Sequence, residues 1–131
     1  MNLNAKLEMR NAKLEMRNYE CGIRNYYYIC NMKIIERYIG IINELCIKYK
    51  VKNLFVFGSI LTDRFNAESD VDFLVDFKKE EIADYFSNYF DLKEALEDLL
   101  NRDVDLVESQ SLKNPYFINS VNATKTLVYA G

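Results

Sequence analysis

The sequence predicts a small α/β domain of the α+β kind, in which a mixed β-sheet is packed by helices. Three observations carry that expectation. Apolar residues recur at three- and four-residue spacing from Ile34 to Tyr49 and again from Ile82 to Leu100, the pattern of amphipathic helices. Short β-branched and aromatic runs lie between and after them, at Val51–Phe57, Val71–Phe77 and Val104–Val107. The 131 residues, half of them hydrophobic, are enough for one core and fit a single domain.

Residues 1–31 stand outside this pattern and read as an N-terminal extension. Asn4–Arg10 spells NAKLEMR, and Asn11–Arg17 repeats it. Seven is the coiled-coil period, but two copies fall short of the three or four heptads such a structure needs. A duplicated stretch ahead of a natural start at Met32-Lys33 explains the repeat, leaving 32–131 as the domain. The cluster Tyr26-Tyr27-Tyr28 could dock on the domain or on a partner.

From Met32 a helix is expected to about Lys50, with Cys46 as a core residue. Val51–Phe57 is a strand ended by Gly58, and Ile60–Phe65 a short helix. Asn66–Ser69 forms a turn before the second strand, Val71–Phe77. Glu80–Leu100 is a helix closed by Asn101, and the third strand lies in Val104–Val107. Asn114-Pro115 then introduces a closing helix, Tyr116–Tyr129, with Phe117, Val121, Leu127 and Val128 as core candidates. The expected order is α-β-(short α)-β-α-β-α.

Composition narrows the chemistry. The net charge is −3, divided into five basic minus three acidic residues (+2) over 1–31 and twelve minus seventeen (−5) over 32–131. An acidic body argues against a large duplex-DNA footprint, which needs a basic face. There is no histidine, which removes Ser-His-Asp and Cys-His catalysis and most transition-metal sites. Cys21, Cys30 and Cys46 are odd in number and lack Cys-x-x-Cys spacing, so neither a disulfide framework nor a zinc site is expected. No apolar run approaches a membrane span and no secretory signal opens the chain, so a cytoplasmic protein is the expectation. Chemistry here must rest on carboxylates, hydroxyls, Lys/Arg and hard metal ions.

One constellation offers all of these. The first strand ends in Gly58-Ser59, ten residues separate Ser59 from Asp70, and Asp70-Val71-Asp72 opens the second strand. Side chains alternate along a strand, so Asp70 and Asp72 share a face, with Cα atoms roughly 6–7 Å apart. Two such carboxylates can converge on Mg²⁺, which takes a few carboxylates and fills its octahedron with water and phosphate. A glycine at the strand corner lets a phosphate approach closely, and a serine at the start of a short helix offers hydroxyl and amide hydrogens to an anion. Asp105 interrupts a third apolar strand; a buried carboxylate there would need a metal or cation, and it could take a proton from an attacking hydroxyl. Singly these features are weak. Asp-x-Asp on a strand is usually a solvated face, and Asp105 could be an edge charge that discourages strand pairing.

Together, NLFVFGSILTDRFNAESDVDFLVDF resembles the signature of the minimal nucleotidyltransferases of the DNA polymerase β superfamily, and VDLV resembles their third-carboxylate strand. The similarity spans about residues 32–131. It implies the small nucleotidyltransferase fold, a divalent cation (Mg²⁺ or Mn²⁺), and transfer of a nucleoside monophosphate from a triphosphate such as ATP. On this resemblance Asp70, Asp72 and Asp105 are metal ligands and catalytic carboxylates, while Gly58 and Ser59 hold phosphate. Many relatives carry a small residue, Arg and Gly soon after Gly-Ser; here Leu61, Thr62 and Asp63 stand there, and Arg64 is the candidate replacement cation. Small members of the family resemble the antitoxin half of HEPN/MNT toxin–antitoxin modules. That likeness implies AMP transfer to a tyrosine of a helical HEPN-domain toxin in a hetero-oligomer. A nucleotidyltransferase for an aminoglycoside-like small molecule, and a non-catalytic antitoxin that binds by occlusion, are the competing readings.

Overall fold

The computed structural model describes the backbone of residues 20–131 and side chains from Ile29 onward. The NAKLEMR repeat and the Tyr26–Tyr28 cluster's side chains lie outside the described residues. The chain forms α1 (Glu20–Arg37), α2 (Ile39–Lys48), β1 (Val51–Phe57), a 3-10 turn (Gly58–Leu61), β2 (Val71–Phe77), a 3-10 turn (Lys79–Glu81), α3 (Tyr85–Leu100), β3 (Val104–Glu108), a 3-10 turn (Ser109–Ser111), α4 (Pro115–Thr124) and β4 (Thr126–Ala130).

Four strands make one mixed sheet in the order β3-β2-β1-β4, with β1 antiparallel to both β2 and β4, and β2 parallel to β3. One face carries the main core. Met32 and Ile35 of α1, Ile42 and Cys46 of α2, and Leu92, Leu96 and Leu100 of α3 pack there against Leu54, Val56, Val71, Phe73 and Val75. Burial pushes the Cys46 thiol up to about 12, so it is an inert core group as expected. The opposite face is covered more sparsely: Val121 of α4 meets Phe57 and Leu74, flanked by Phe55, Val107 and Leu112. Asp72 and Asp105 lie on that less covered face, whereas Glu108 of β3 lies on the α3 side.

Three expectations are corrected. The first helix begins at Glu20 rather than Met32 and breaks at Tyr38, whose amide bonds to Ile35 O at 3.1 Å. The expected short helix at Ile60–Phe65 is a four-residue turn that starts earlier, at Gly58. The closing helix ends at Thr124, and Thr126–Ala130 instead pairs with β1, so Leu127 is 53% exposed instead of buried. A smaller shift moves the start of the Glu80–Leu100 helix to Tyr85, after the Lys79–Glu81 turn, while β1 and β2 keep their expected bounds. Asp84 caps α3 by accepting from the Ser87 amide, and Asn101 closes it in a left-handed conformation with φ 52°. No helix among the described residues is long and apolar enough to cross a membrane.

Candidate active site

Gly58 sits where the chain leaves β1, with φ +78°, a conformation glycine adopts without the Cβ penalty. A Cβ there would stand 2.3 Å from Asp72 Oδ2. The sequence suggests that this glycine makes room for phosphate; in the structure the group nearest it is Asp72's own carboxylate. The two residues therefore constrain each other across the β1–β2 pair.

Ser59 follows in the turn, and its carbonyl accepts from both the amide (2.9 Å) and the hydroxyl (2.8 Å) of Thr62. Asn31 Nδ2 donates to Thr62 O at 2.8 Å, tying α1 to this loop. Thr62, which departs from the family pattern, thus acts as a local clamp. A four-residue turn has little dipole, so anion binding would fall to individual amides and the Ser59 hydroxyl.

The sheet register places the carboxylates. Phe57, Asp72 and Asp105 form one row across β1, β2 and β3, and directly paired residues present side chains to the same face. Asp70 lies two residues before Asp72, just ahead of the strand. Asp72 is half-buried, whereas Asp70 and Asp105 are exposed. The expectation that Asp105 is a buried carboxylate is therefore wrong: β3 is the sheet edge, and Asp105 is exposed on it among the described residues. Burial, then the charges of Asp105 and Asp70, push the Asp72 carboxyl up to about 6. Asp72 is thus in electrostatic contact with both of the others.

The donors here are hard oxygens on mutually repelling carboxylates, an arrangement a divalent cation relieves. Among the described residues no three carboxylates close into a ready ligand cage. Mg²⁺ does not require one, because it is commonly held by one or two carboxylates with phosphate and water completing its shell. The donor set fits such a cation.

Gly58, Ser59, Thr62, Asp63, Arg64 and Asp72 line one side of a cleft of about 830 Å³, a size usual for small-ligand sites. Phe117, Ser120, Val121 and Thr124 of α4 line the other. Arg64 is exposed on the cleft wall, with its amide donating to Thr62 Oγ1 at 3.2 Å. Sequence reasoning missed Ser120 and Thr124 and read Phe117 and Val121 as core alone. The available signal was their i, i+3, i+4, i+7 spacing, which puts two hydroxyls on the same helical face as two apolar residues.

The sequence profile described as Polymerase beta, Nucleotidyltransferase matches residues 41–130. The chain belongs to this family. A candidate protein adenylyltransferase of Methanocaldococcus jannaschii is 42% identical over 82 residues, covering 63% of this chain and 79% of the relative. A solved structure of a candidate minimal nucleotidyltransferase is 26% identical with a TM-score of 0.60, covering 72% of this chain and 93% of that one. A chain from the solved complex of a tri-AMPylated Shewanella oneidensis HEPN toxin with an MNT antitoxin shares the fold at a TM-score of 0.52, with 21% identity and 74% and 73% of the two chains covered.

This nucleotidyltransferase has a second, smaller pocket of about 380 Å³ between α3 and β3. Its carboxylate, Glu108, is already engaged: Lys79 Nζ lies 2.6 Å from Oε1, and the Tyr85 hydroxyl donates to Oε2. Burial alone would raise the Glu108 carboxyl, but these hydrogen bonds and the Lys79 charge hold it below its usual value. The group is spent on structure.

Proposed function

We propose that this nucleotidyltransferase moves AMP from ATP to a hydroxyl, that of a tyrosine, on a HEPN-type partner toxin, and so serves as its antitoxin. The observation that carries the reading is the register row that sets Asp72 beside Asp105, with Gly58 against Asp72, which itself lines a cleft of nucleotide size; Asp70 and Asp105 stand outside the lining of that cleft. Relatives support the choice of acceptor: one bears a protein adenylyltransferase name, and the Shewanella oneidensis complex pairs an MNT antitoxin with an AMPylated HEPN toxin.

Each residue has a role in this reading. Asp70, Asp72 and Asp105 would hold Mg²⁺ or Mn²⁺, which would supply charge neutralisation to the triphosphate and to the negative charge that develops in transfer. The Ser59 hydroxyl, the amides of the Gly58–Leu61 turn and the Arg64 guanidinium bind the triphosphate oxygens. The acceptor oxygen forms a bond to the α-phosphorus, the bond from that phosphorus to the β-phosphate bridge breaks, and pyrophosphate departs with its electron pair. Asp105 is the exposed carboxylate of the row and so is placed to accept the hydroxyl proton. The open end of the cleft suits an acceptor carried on another protein's surface.

The experiment is labelled-AMP incorporation into a co-expressed HEPN partner, with and without Mg²⁺ or Mn²⁺. Asp70→Asn with Asp72→Asn should abolish it, because the loss falls on transition-state stabilisation. Asp105→Asn should lower kcat more than it raises the KM for ATP. A wild type that labels nothing, together with a triple carboxylate variant that still blocks toxicity, would replace this reading with antitoxin action by binding alone.

A further inference from the structure

We propose that Phe117 is the stacking platform for the nucleobase, so that α4 forms the base-end subsite opposite the phosphate-end residues Gly58, Ser59 and Arg64. This rests on the cleft being the nucleotide site. Both sets of residues line one continuous cleft of about 830 Å³, and they differ in character. The wall from Gly58 to Arg64 offers amides, hydroxyls and a guanidinium beside one carboxylate, Asp63. The α4 wall, from the segment PYFINSVNAT, has no charged residue at all. A ligand with an anionic tail and a neutral aromatic head matches that division. A polycationic acceptor such as an aminoglycoside finds no carboxylate on α4 to bind.

Phe117 is built for the aromatic end. Its ring meets Phe57 edge-on, with centroids 6.1 Å apart at 79°, and Phe57 is itself only 6% exposed. That contact anchors the ring without covering it, since Phe117 stays 43% exposed. The backbone beneath it is fixed in advance. Asn114 caps α4, its side chain accepting from the amides of Tyr116 (2.9 Å) and Phe117 (3.4 Å). Val121, one turn on and 3% exposed, docks the same helical face on the sheet. Ser120 and Thr124 place hydroxyls along the cleft beside it. The Thr124 hydroxyl donates to Ser120 O at 3.1 Å, which leaves its oxygen able to accept from an exocyclic amine or a ribose hydroxyl. A ring held this rigidly costs little further ordering when a base lies on it.

The test is equilibrium binding of Mg·ATP and of inorganic tripolyphosphate to the wild type, Phe117→Leu and Phe117→Tyr, each checked by its melting curve. Leucine keeps apolar packing on Phe57 but removes the π-face; tyrosine keeps the face. Phe117→Leu should weaken ATP by about tenfold or more, the usual scale for losing one base–aromatic stack. Its tripolyphosphate affinity should stay within about twofold of the wild type, because stacking acts only on the base. Phe117→Tyr should bind both ligands like the wild type. GTP should lose affinity in parallel with ATP, since a stack reads a π-surface and not a hydrogen-bond pattern. Phe117→Leu binding ATP normally overturns the platform and leaves the phosphate-site assignment standing, and losing ATP and tripolyphosphate in the same proportion overturns the platform because the loss does not depend on the base. A wild type that binds neither ligand overturns the nucleotide site itself, and the platform with it.

Discussion

At Asp72, burial and two neighbouring carboxylates act in the same direction, and both favour the neutral acid. A carboxyl raised from 3.8 to about 6 contributes stability that is complete below the lower value and is lost as pH rises through the upper one. Asp72→Asn should therefore raise the melting temperature of the metal-free protein at about pH 8, and the gain should vanish by about pH 4, where both forms are neutral at this position. Melting curves across that range check the sign; an unchanged or lower melting temperature at pH 8 would mean that the three carboxylates do not repel as described. Gly58 meets the same carboxylate from the other side. Gly58→Ala forces a Cβ into a left-handed backbone position, at a cost of about 1–2 kcal/mol. It also drives Asp72 Oδ2 away from a site only 2.3 Å from the new atom. Since a displacement of about 1 Å in a catalytic group can cost about a hundredfold in rate, transfer activity should fall by that order while the fold persists. Parallel kcat and melting measurements would contradict this if activity and stability declined together in small steps.

Among the elements, β4 has the most to show about what a sequence conceals. Val128 and Tyr129 pack partly against the main core, and Gly131 N bonds to Lys52 O at 2.8 Å, so β4 both covers the β1 edge and adds apolar surface. Deleting residues 126–131 should remove several kcal/mol from a total that is typically about 5–15 kcal/mol. Urea unfolding should then become broad or start without a native baseline; a midpoint close to wild type would mean that β4 is dispensable. The strand was illegible because TLVYA follows a helix with only Lys125 between, and no glycine or proline marks the change. A short apolar run in that setting reads as helix or strand alike. The break at Tyr38 is hidden for a related reason, since the apolar spacing continues through it and only the Tyr38–Ile35 hydrogen bond departs from the helical pattern. By contrast, β1 and β2 were legible to the residue, because Gly58 stops one and the Asn66–Ser69 turn precedes the other. The shared face of Asp70 and Asp72 was legible through strand alternation, and Asp105 through a charge set in an apolar strand, but its place beside Asp72 was not, because the β2–β3 register that sets it has no local signal. The burial of the row was not legible either, because it depends on how little of the sheet α4 covers, and no local pattern records it.

For the described residues as a whole, three helices pack on one face of the sheet and one short helix on part of the other, and at the carboxylate end Asp70 and Asp105 are exposed. Among the described side chains, Met32 and Ile35 of α1 enter the core with Ile34 packed against it, while Asn31 donates a hydrogen bond to Thr62 O. A chain beginning at Met32 keeps the first pair and loses the second, worth about 0.5–1.5 kcal/mol. It should unfold cooperatively with a melting temperature only several degrees lower; a fall beyond about 10 °C would show that the residues before it are integral to the domain.

The central claim is that the site transfers the α-phosphoryl end of ATP as AMP. The most direct measurement incubates the protein and a co-expressed HEPN-domain protein, the proposed acceptor, with Mg²⁺ and ATP labelled either at the α- or at the γ-phosphate, then follows label in that acceptor. The account predicts label from the α position alone, with unlabelled partner when Asp70 and Asp72 are both asparagine. Label from the γ position, or α-label that survives the loss of both carboxylates, would contradict it.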